Sequence, residues 1–293
     1  MTMRQAQIND LGYRAFEGQR AGVGWAMWSL GVHAARRVFG LKRQARHKVI
    51  PVIALLIAFV PALIFVGLAI IIPADVIEDA LLPTYAEYFG QIGFAVLFFA
   101  SIVAPDVLTG DRRSGMLALY LASPLDRTTY VIAKAASVVV VLLSMTMLPQ
   151  LFLLLANTIA GTGPSFGEFF KLLVQIIGSG IMTGVFFAGL SLAIATLTPR
   201  RSFATGAILM TLLISTVAVQ AIVESTDSWT GLGLLNFGSL PFAASTRLFG
   251  EDGGGGAGLN DLSDPLVILA TMAFGLAGLA FTWWRYQTIE VDR

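Results

Sequence analysis

Cysteine is missing from the chain altogether. Disulfides, thiolate metal sites and cysteine nucleophiles are therefore excluded. Histidine is almost as scarce: only His33 and His47 occur. Two solitary histidines cannot build a typical metal triad, and no His-Glu-x-x-His or Gly-x-Ser-x-Gly pattern is present. Charge is scarce as well, at 13% of residues, where a soluble domain carries about 25%. A phosphate-binding loop is also lacking. Gly110 and Gly115 have its glycine spacing, but Met116 and Leu117 stand where Lys and Ser/Thr are required. Any ATP chemistry must then come from another chain. The apolar runs hold no paired carboxylates, which argues against a proton relay. No internal repeat is visible, and nothing suggests a nucleic-acid partner.

Hydrophobic residues make up 56% of the chain, and the mean hydropathy is +0.77. They fall in long runs. Residues 50–72, 88–105, 135–167, 172–199, 202–223 and 265–284 carry no charge. A bilayer core needs about 20 apolar residues in a helix, and inside lipid the backbone must satisfy its own hydrogen bonds. The expectation is an all-α integral membrane protein with six transmembrane helices, at about 50–72, 88–108, 129–159, 169–197, 203–223 and 265–284. Residues 1–48 form a cytoplasmic or interfacial N-terminal segment, and 49–293 a single six-span domain. Of the 19 lysines and arginines, only Lys171 and Arg247 fall on one side of this scheme, whereas most acids do. By the positive-inside rule both termini are cytoplasmic.

Residues 25–48 combine tryptophans with basic residues. Trp25 and Trp28 are followed by Arg36, Arg37, Lys42, Arg43, Arg46 and Lys48. Such a helix lies naturally at the headgroup level of an anionic leaflet, as an elbow leading into the first span. Trp283 and Trp284 anchor the last span at an interface.

The longest polar break inside the apolar sequence runs from Asp111 to Lys134. Asp111 suits an N-cap for a helix over 112–122. Leu117, Tyr120 and Leu121 form an apolar i, i+3, i+4 stripe on it, which Arg113 extends by one turn. Ser123-Pro124 stops that helix and starts the next, with Asp126 as the reciprocal acid of a capping box. A helix held between two rigid corners suits recognition in a partner's groove. Lying on lipid is the alternative.

The run Asp111-Arg112-Arg113-Ser114-Gly115-Met116-Leu117, continuing to Ser123-Pro124 and Arg127, with Tyr130 and Lys134 beyond, resembles type-2 ABC-exporter permeases. The motif covers about residues 106–134. The six spans, the amphipathic N-terminal helix and the long last outer loop extend the likeness over the whole chain. The resemblance implies that this stretch is the coupling helix, with Asp111, Arg112, Arg113, Gly115, Leu117, Tyr120, Leu121, Ser123, Pro124 and Arg127 engaging a separate ABC ATPase. It also implies two ATPase copies, a second permease copy as homodimer or homologous heterodimer, and ATP and Mg bound in the ATPase alone. Spans 1, 2 and 5 line the seam and substrate path in that family, so by position Pro61, Phe98, Phe99, Met210 and Thr211 face it. A plasma-membrane location in a prokaryote follows.

Elsewhere, Pro149 and Gln150 interrupt the third span, and Gly180-x-x-x-Gly184 is a small-residue packing motif in the fourth. Residues 231–248 are apolar enough to re-enter the membrane edge between spans 5 and 6. The tetraglycine at 253–256 is a linker. Gln150, Asn157, Gln175 and Gln220 are placed for interhelical hydrogen bonds. Asp106 is either a surface acid or part of a gate near Arg112. Two other functions remain open: a non-transporting membrane partner of an ATPase, and a membrane-embedded lipid-modifying enzyme built on Asp106, Asp111 and Arg112.

Overall fold

The structure, a computed structural model, describes residues 21–41, 48–71, 84–161, 163–226, 230–251, 256 and 258–289. Lys42, Arg43, Arg46 and His47, the outer acids Asp75, Glu78 and Asp79, Gly253–Gly255 and the tail beyond Ile289 lie outside these residues. The described residues form ten α-helices and one 3-10 helix, with no strand.

The helices are α1 (Val23–Val38), α2 (Val49–Ile71), α3 (Glu87–Arg113), α4 (Met116–Leu121), α5 (Arg127–Thr146), α6 (Leu148–Ala160), α7 (Phe166–Thr196), α8 (Arg201–Thr226), α9 (Leu240–Phe249) and α10 (Asp264–Thr288). The 3-10 helix is Thr230–Leu235. Six units are long and apolar enough to cross a membrane: α2, α3, α5 together with α6, α7, α8 and α10. The third span breaks at Met147, with Pro149 in the first turn of α6. Proline supplies no N–H, so one helical bond is lost there.

Helix α7 is the centre of the bundle, touching α3, α5, α6, α8, α9 and α10. Its closest neighbour is α10. A Cβ at Gly189 would stand 2.0 Å from the Gly275 carbonyl oxygen, and one at Gly278 would stand 2.5 Å from the Gly189 carbonyl. Only glycine permits that approach. Gly180 serves α5 similarly, facing Met147 at 2.9 Å. By contrast α2 and α8 are largely exposed along their lengths.

Three local expectations need correction. Asp111 does not cap a helix; α3 runs through it to Arg113. Its carboxylate is drawn into a buried charge cluster instead, and the chain turns at Gly115, whose φ of +69° suits glycine. The helix expected over 112–122 is therefore only Met116–Leu121. Nor does Ser123 cap the next helix. Its hydroxyl donates back to the Tyr120 carbonyl at 2.5 Å, and Asp126 is the N-cap of α5. The Asp126 carboxylate accepts the Thr129 N–H at 2.7 Å while the Thr129 hydroxyl accepts the Asp126 N–H at 2.9 Å. A threonine hydroxyl thus supplies the reciprocal half of the box. Third, α1 ends at Val38, well short of residue 48.

Candidate functional site at the charged end of the bundle

Among the described residues, Arg37, Arg112, Arg113, Arg127, Lys134, Arg200, Arg201 and Arg285 lie where α3, α5, α7, α8 and α10 have their Arg113, Arg127, Thr196, Arg201 and Thr288 ends. At the centre is Asp111, which is 2% exposed. Its Oδ1 accepts a hydrogen bond from Arg37 Nη1 at 3.0 Å. Its Oδ2 accepts one from the Tyr130 hydroxyl at 3.0 Å and lies 2.5 Å from Lys134 Nζ. Lys134 is 3% exposed and also reaches the Val107 carbonyl at 3.4 Å. One carboxylate thereby joins α1, α3 and α5. Buried charges persist only when paired in this way.

Aromatic rings extend the cluster to α4 and α10. The Lys134 ammonium lies 5.7 Å from the Tyr120 ring centroid and 5.5 Å from that of Tyr130, within cation–π range. Tyr130 sits 5.8 Å from both Tyr120 and Tyr286, centroid to centroid. Burial, and next the neighbouring Asp111 charge, push the Tyr120 hydroxyl above its ordinary pKa.

Arginines brace the two flanks of α4. Arg112 Nη1 donates to the Thr196 carbonyl at the end of α7, at 2.9 Å. Arg127 Nη1 donates to the Gln287 and Tyr286 carbonyls at the end of α10. Cations at helix C-termini satisfy orphan carbonyls and complement the dipole. The Thr128 hydroxyl accepts from Trp283 Nε1 and Gln287 Nε2, both at 3.1 Å. Arg201, at the start of α8, pairs with Asp106 of α3 at 2.9 Å. Asp106 is thus buried and ion-paired, not a surface acid. Helix α4 thus lies between α3 and α5, whose Arg112 and Arg127 reach the ends of α7 and α10.

The stripe read on α4 faces inward. Leu117 is 7% exposed, and Tyr120 and Leu121 are half-buried against the bundle. The outward apolar residues are Leu119, 64% exposed, and Met116, flanked by exposed Arg113, Ser123 and Pro124. On α1, Trp25, Trp28 and Arg36 are exposed, whereas Arg37 turns inward to Asp111. Trp284 is exposed. Among the seam positions, Phe98 and Met210 are exposed, and Pro61 and Thr211 are half-buried. Phe99 is 1% exposed in the chain's own core, which leaves Phe98 as the outward member of that pair.

At the other end, Gln150 donates to the Tyr85 carbonyl at 3.1 Å and Gln175 to the Leu248 carbonyl at 2.8 Å. Both therefore bind between elements. Gln220 instead bonds Glu224 one turn along its own helix. Residues 231–248 hold the 3-10 helix and most of α9, whose Leu240–Arg247 stretch is buried. Sequence reasoning missed the Asp111–Lys134 pair. The signal was available: Lys134 is a lone cation entering an apolar run, one turn after Tyr130, and needs an acid. Arg201 with Asp106 and the Gly189–Gly275 approach carried no local signal.

Six membrane-length helices around a braced corner define a multi-pass membrane protein. Residues 49–228, from the start of α2 to just beyond α8, match the family described as ABC-2 family transporter protein. The chain belongs to that family and is a transmembrane permease of an ABC transporter. No curated protein matches it.

Proposed function

We propose that the chain is the permease half of an ATP-driven exporter in a prokaryotic plasma membrane, moved by a separate ABC ATPase that docks on residues 111–127. The observation that carries this reading is α4 itself. It is a short helix between α3 and α5, whose Asp111, Arg112 and Arg127 reach α1, α7 and α10, and it presents Met116 and Leu119 outward beside exposed Arg113. An exposed leucine between rigid corners suits helix-in-groove recognition. Leu117, Tyr120 and Leu121 hold the helix in place; Met116 and Leu119 make the contact.

The gathering of basic residues at this end supports a cytoplasmic assignment for it and for both termini. Helix α1 is then the elbow, with Trp25 and Trp28 exposed on its outer face toward lipid. Helix α9 and the 3-10 helix make a re-entrant outer plug, clasped by Arg247 to Asp264 at 2.9 Å. The exposed faces of α2 and α8, with Pro61, Phe98 and Met210, support a seam with a second permease copy. Two ATPase copies then bind ATP and Mg below. Co-purification with the ATPase tests this reading. Met116→Asp with Leu119→Asp abolishes association while the permease stays folded. Full association and transport by that variant would overturn the docking assignment.

A further inference from the structure

We propose that a groove between α1 and α5 seats one acyl chain of an anionic phospholipid, with the lipid phosphate at Arg36. The groove encloses about 470 Å³, within the ~300–1,000 Å³ of small-molecule sites. Trp28, Gly31 and Ala35 of α1 line it on one side, and Ile132, Ala136 and Val140 of α5 on the other. Ser137 is also in the wall, but its hydroxyl is already committed to the Lys134 carbonyl at 2.7 Å. The occupant therefore needs hydrocarbon and no hydrogen-bonding group. At Gly31 the two helices pack closely: a Cβ there would stand 3.4 Å from the Ala133 carbonyl oxygen.

Depth identifies the occupant. Helix α5 begins at Arg127. Ile132 and Val140 lie about 8 and 20 Å along it at 1.5 Å per residue. Half of a ~30 Å hydrocarbon core is about 15 Å. The groove thus lies at acyl depth, from within the leaflet at which α5 begins to about the bilayer midplane. It opens sideways past exposed Trp28, Ile132, Ala136 and Val140, so its neighbouring phase is lipid.

Charge identifies the headgroup. Arg37 is occupied by Asp111, but Arg36 is exposed and makes no ion pair among the described residues. It lies one helical turn from Val32, another residue of the wall. An acyl chain gains little by leaving bilayer hydrocarbon for an apolar groove, because the two are equally apolar. Selectivity must come from the headgroup's net negative charge, which the choline ammonium cancels in a zwitterionic lipid, at about fivefold per basic residue near the surface.

The full-length chain, purified and titrated with phosphatidylglycerol and phosphatidylcholine of identical acyl chains, tests this by native mass spectrometry. One phosphatidylglycerol should be retained about fivefold more tightly than phosphatidylcholine. Arg36→Gln should remove that preference, and Ala136→Phe should remove retention of both lipids. Equal retention by the unmodified chain, or an unchanged preference in Arg36→Gln, would overturn the proposal. A second measurement uses a chain keeping Trp28 alone, with Trp25, Trp229, Trp283 and Trp284 replaced by Phe, in phosphatidylcholine bilayers. Brominated phosphatidylglycerol should quench Trp28 with saturation at low mole fraction. Quenching that rises only in proportion to mole fraction means bulk lipid alone, and no quenching means a protein on the groove; either result overturns it.

Discussion

Asp111 and Lys134 should not contribute equally to stability. At their 2.5 Å separation, an effective dielectric constant of about 20 gives an attraction of about 7 kcal/mol. Desolvating two ions costs several kcal/mol each, so the intact pair contributes little net stability. Breaking it is another matter. Asp111→Asn leaves the Lys134 ammonium buried with no carboxylate, only a neutral amide, the Val107 carbonyl at 3.4 Å and the Tyr120 and Tyr130 rings, which costs about 3–5 kcal/mol. Lys134→Met leaves Asp111 with Arg37 and Tyr130, both at 3.0 Å, and costs about 1–3 kcal/mol. The double variant should be more stable than Asp111→Asn alone, since no buried cation remains. Equilibrium unfolding of the four proteins in one detergent measures this as a double-mutant cycle. If Lys134→Met costs as much as Asp111→Asn, or if the two effects add, the reasoning is wrong.

Two further outcomes follow from the packing and the caps. Gly189→Ala should sharply lower folded yield, because its Cβ would meet the Gly275 carbonyl at 2.0 Å; Gly178→Ala, with nothing within 4 Å, should be neutral or stabilising. Size-exclusion profiles and thermal unfolding compare them. The Thr129 N–H and hydroxyl hold the Asp126 carboxyl below the usual carboxylate range. A depressed folded pKa contributes stability above the unfolded value, about 3.9, and loses it as pH falls through the folded value. Hydrogen exchange at the Thr129 amide should therefore accelerate below about pH 4 beyond its intrinsic trend. Asp126→Asn, which still caps but cannot titrate, should show no such step.

Much of this architecture was legible in the residues because lipid leaves so few choices. Runs such as 50–72 can only be helices, and α2 at Val49–Ile71 follows that run within a residue. The break at Pro149 was also readable, since a missing N–H is a local fact. The charged end was legible only in part. Spacing placed Leu117, Tyr120 and Leu121 on one face of α4 but could not say which way that face pointed. That depends on Tyr130, Lys134 and Tyr286, which come from other helices. Asp111 was misread for the same reason. Locally it has the chemistry of a cap, yet the buried Lys134 ammonium needs that carboxylate, and leaving it without one costs more than the roughly 1 kcal/mol of a surface cap. The α7–α10 crossing joins Gly189 to Gly275 across 86 residues, and no short-range pattern reports it.

On the proposed reading, α4 meets the ATPase through its outward face. The natural absence of cysteine makes this directly measurable. Single cysteines at Leu119, Leu117 and Phe98 should be exposed to a short bifunctional crosslinker in the assembled transporter. Leu119→Cys should give a permease–ATPase adduct, weakened when nucleotide state moves the ATPase, and Leu117→Cys and Phe98→Cys none. An adduct from Leu117→Cys with Leu119→Cys silent would contradict it.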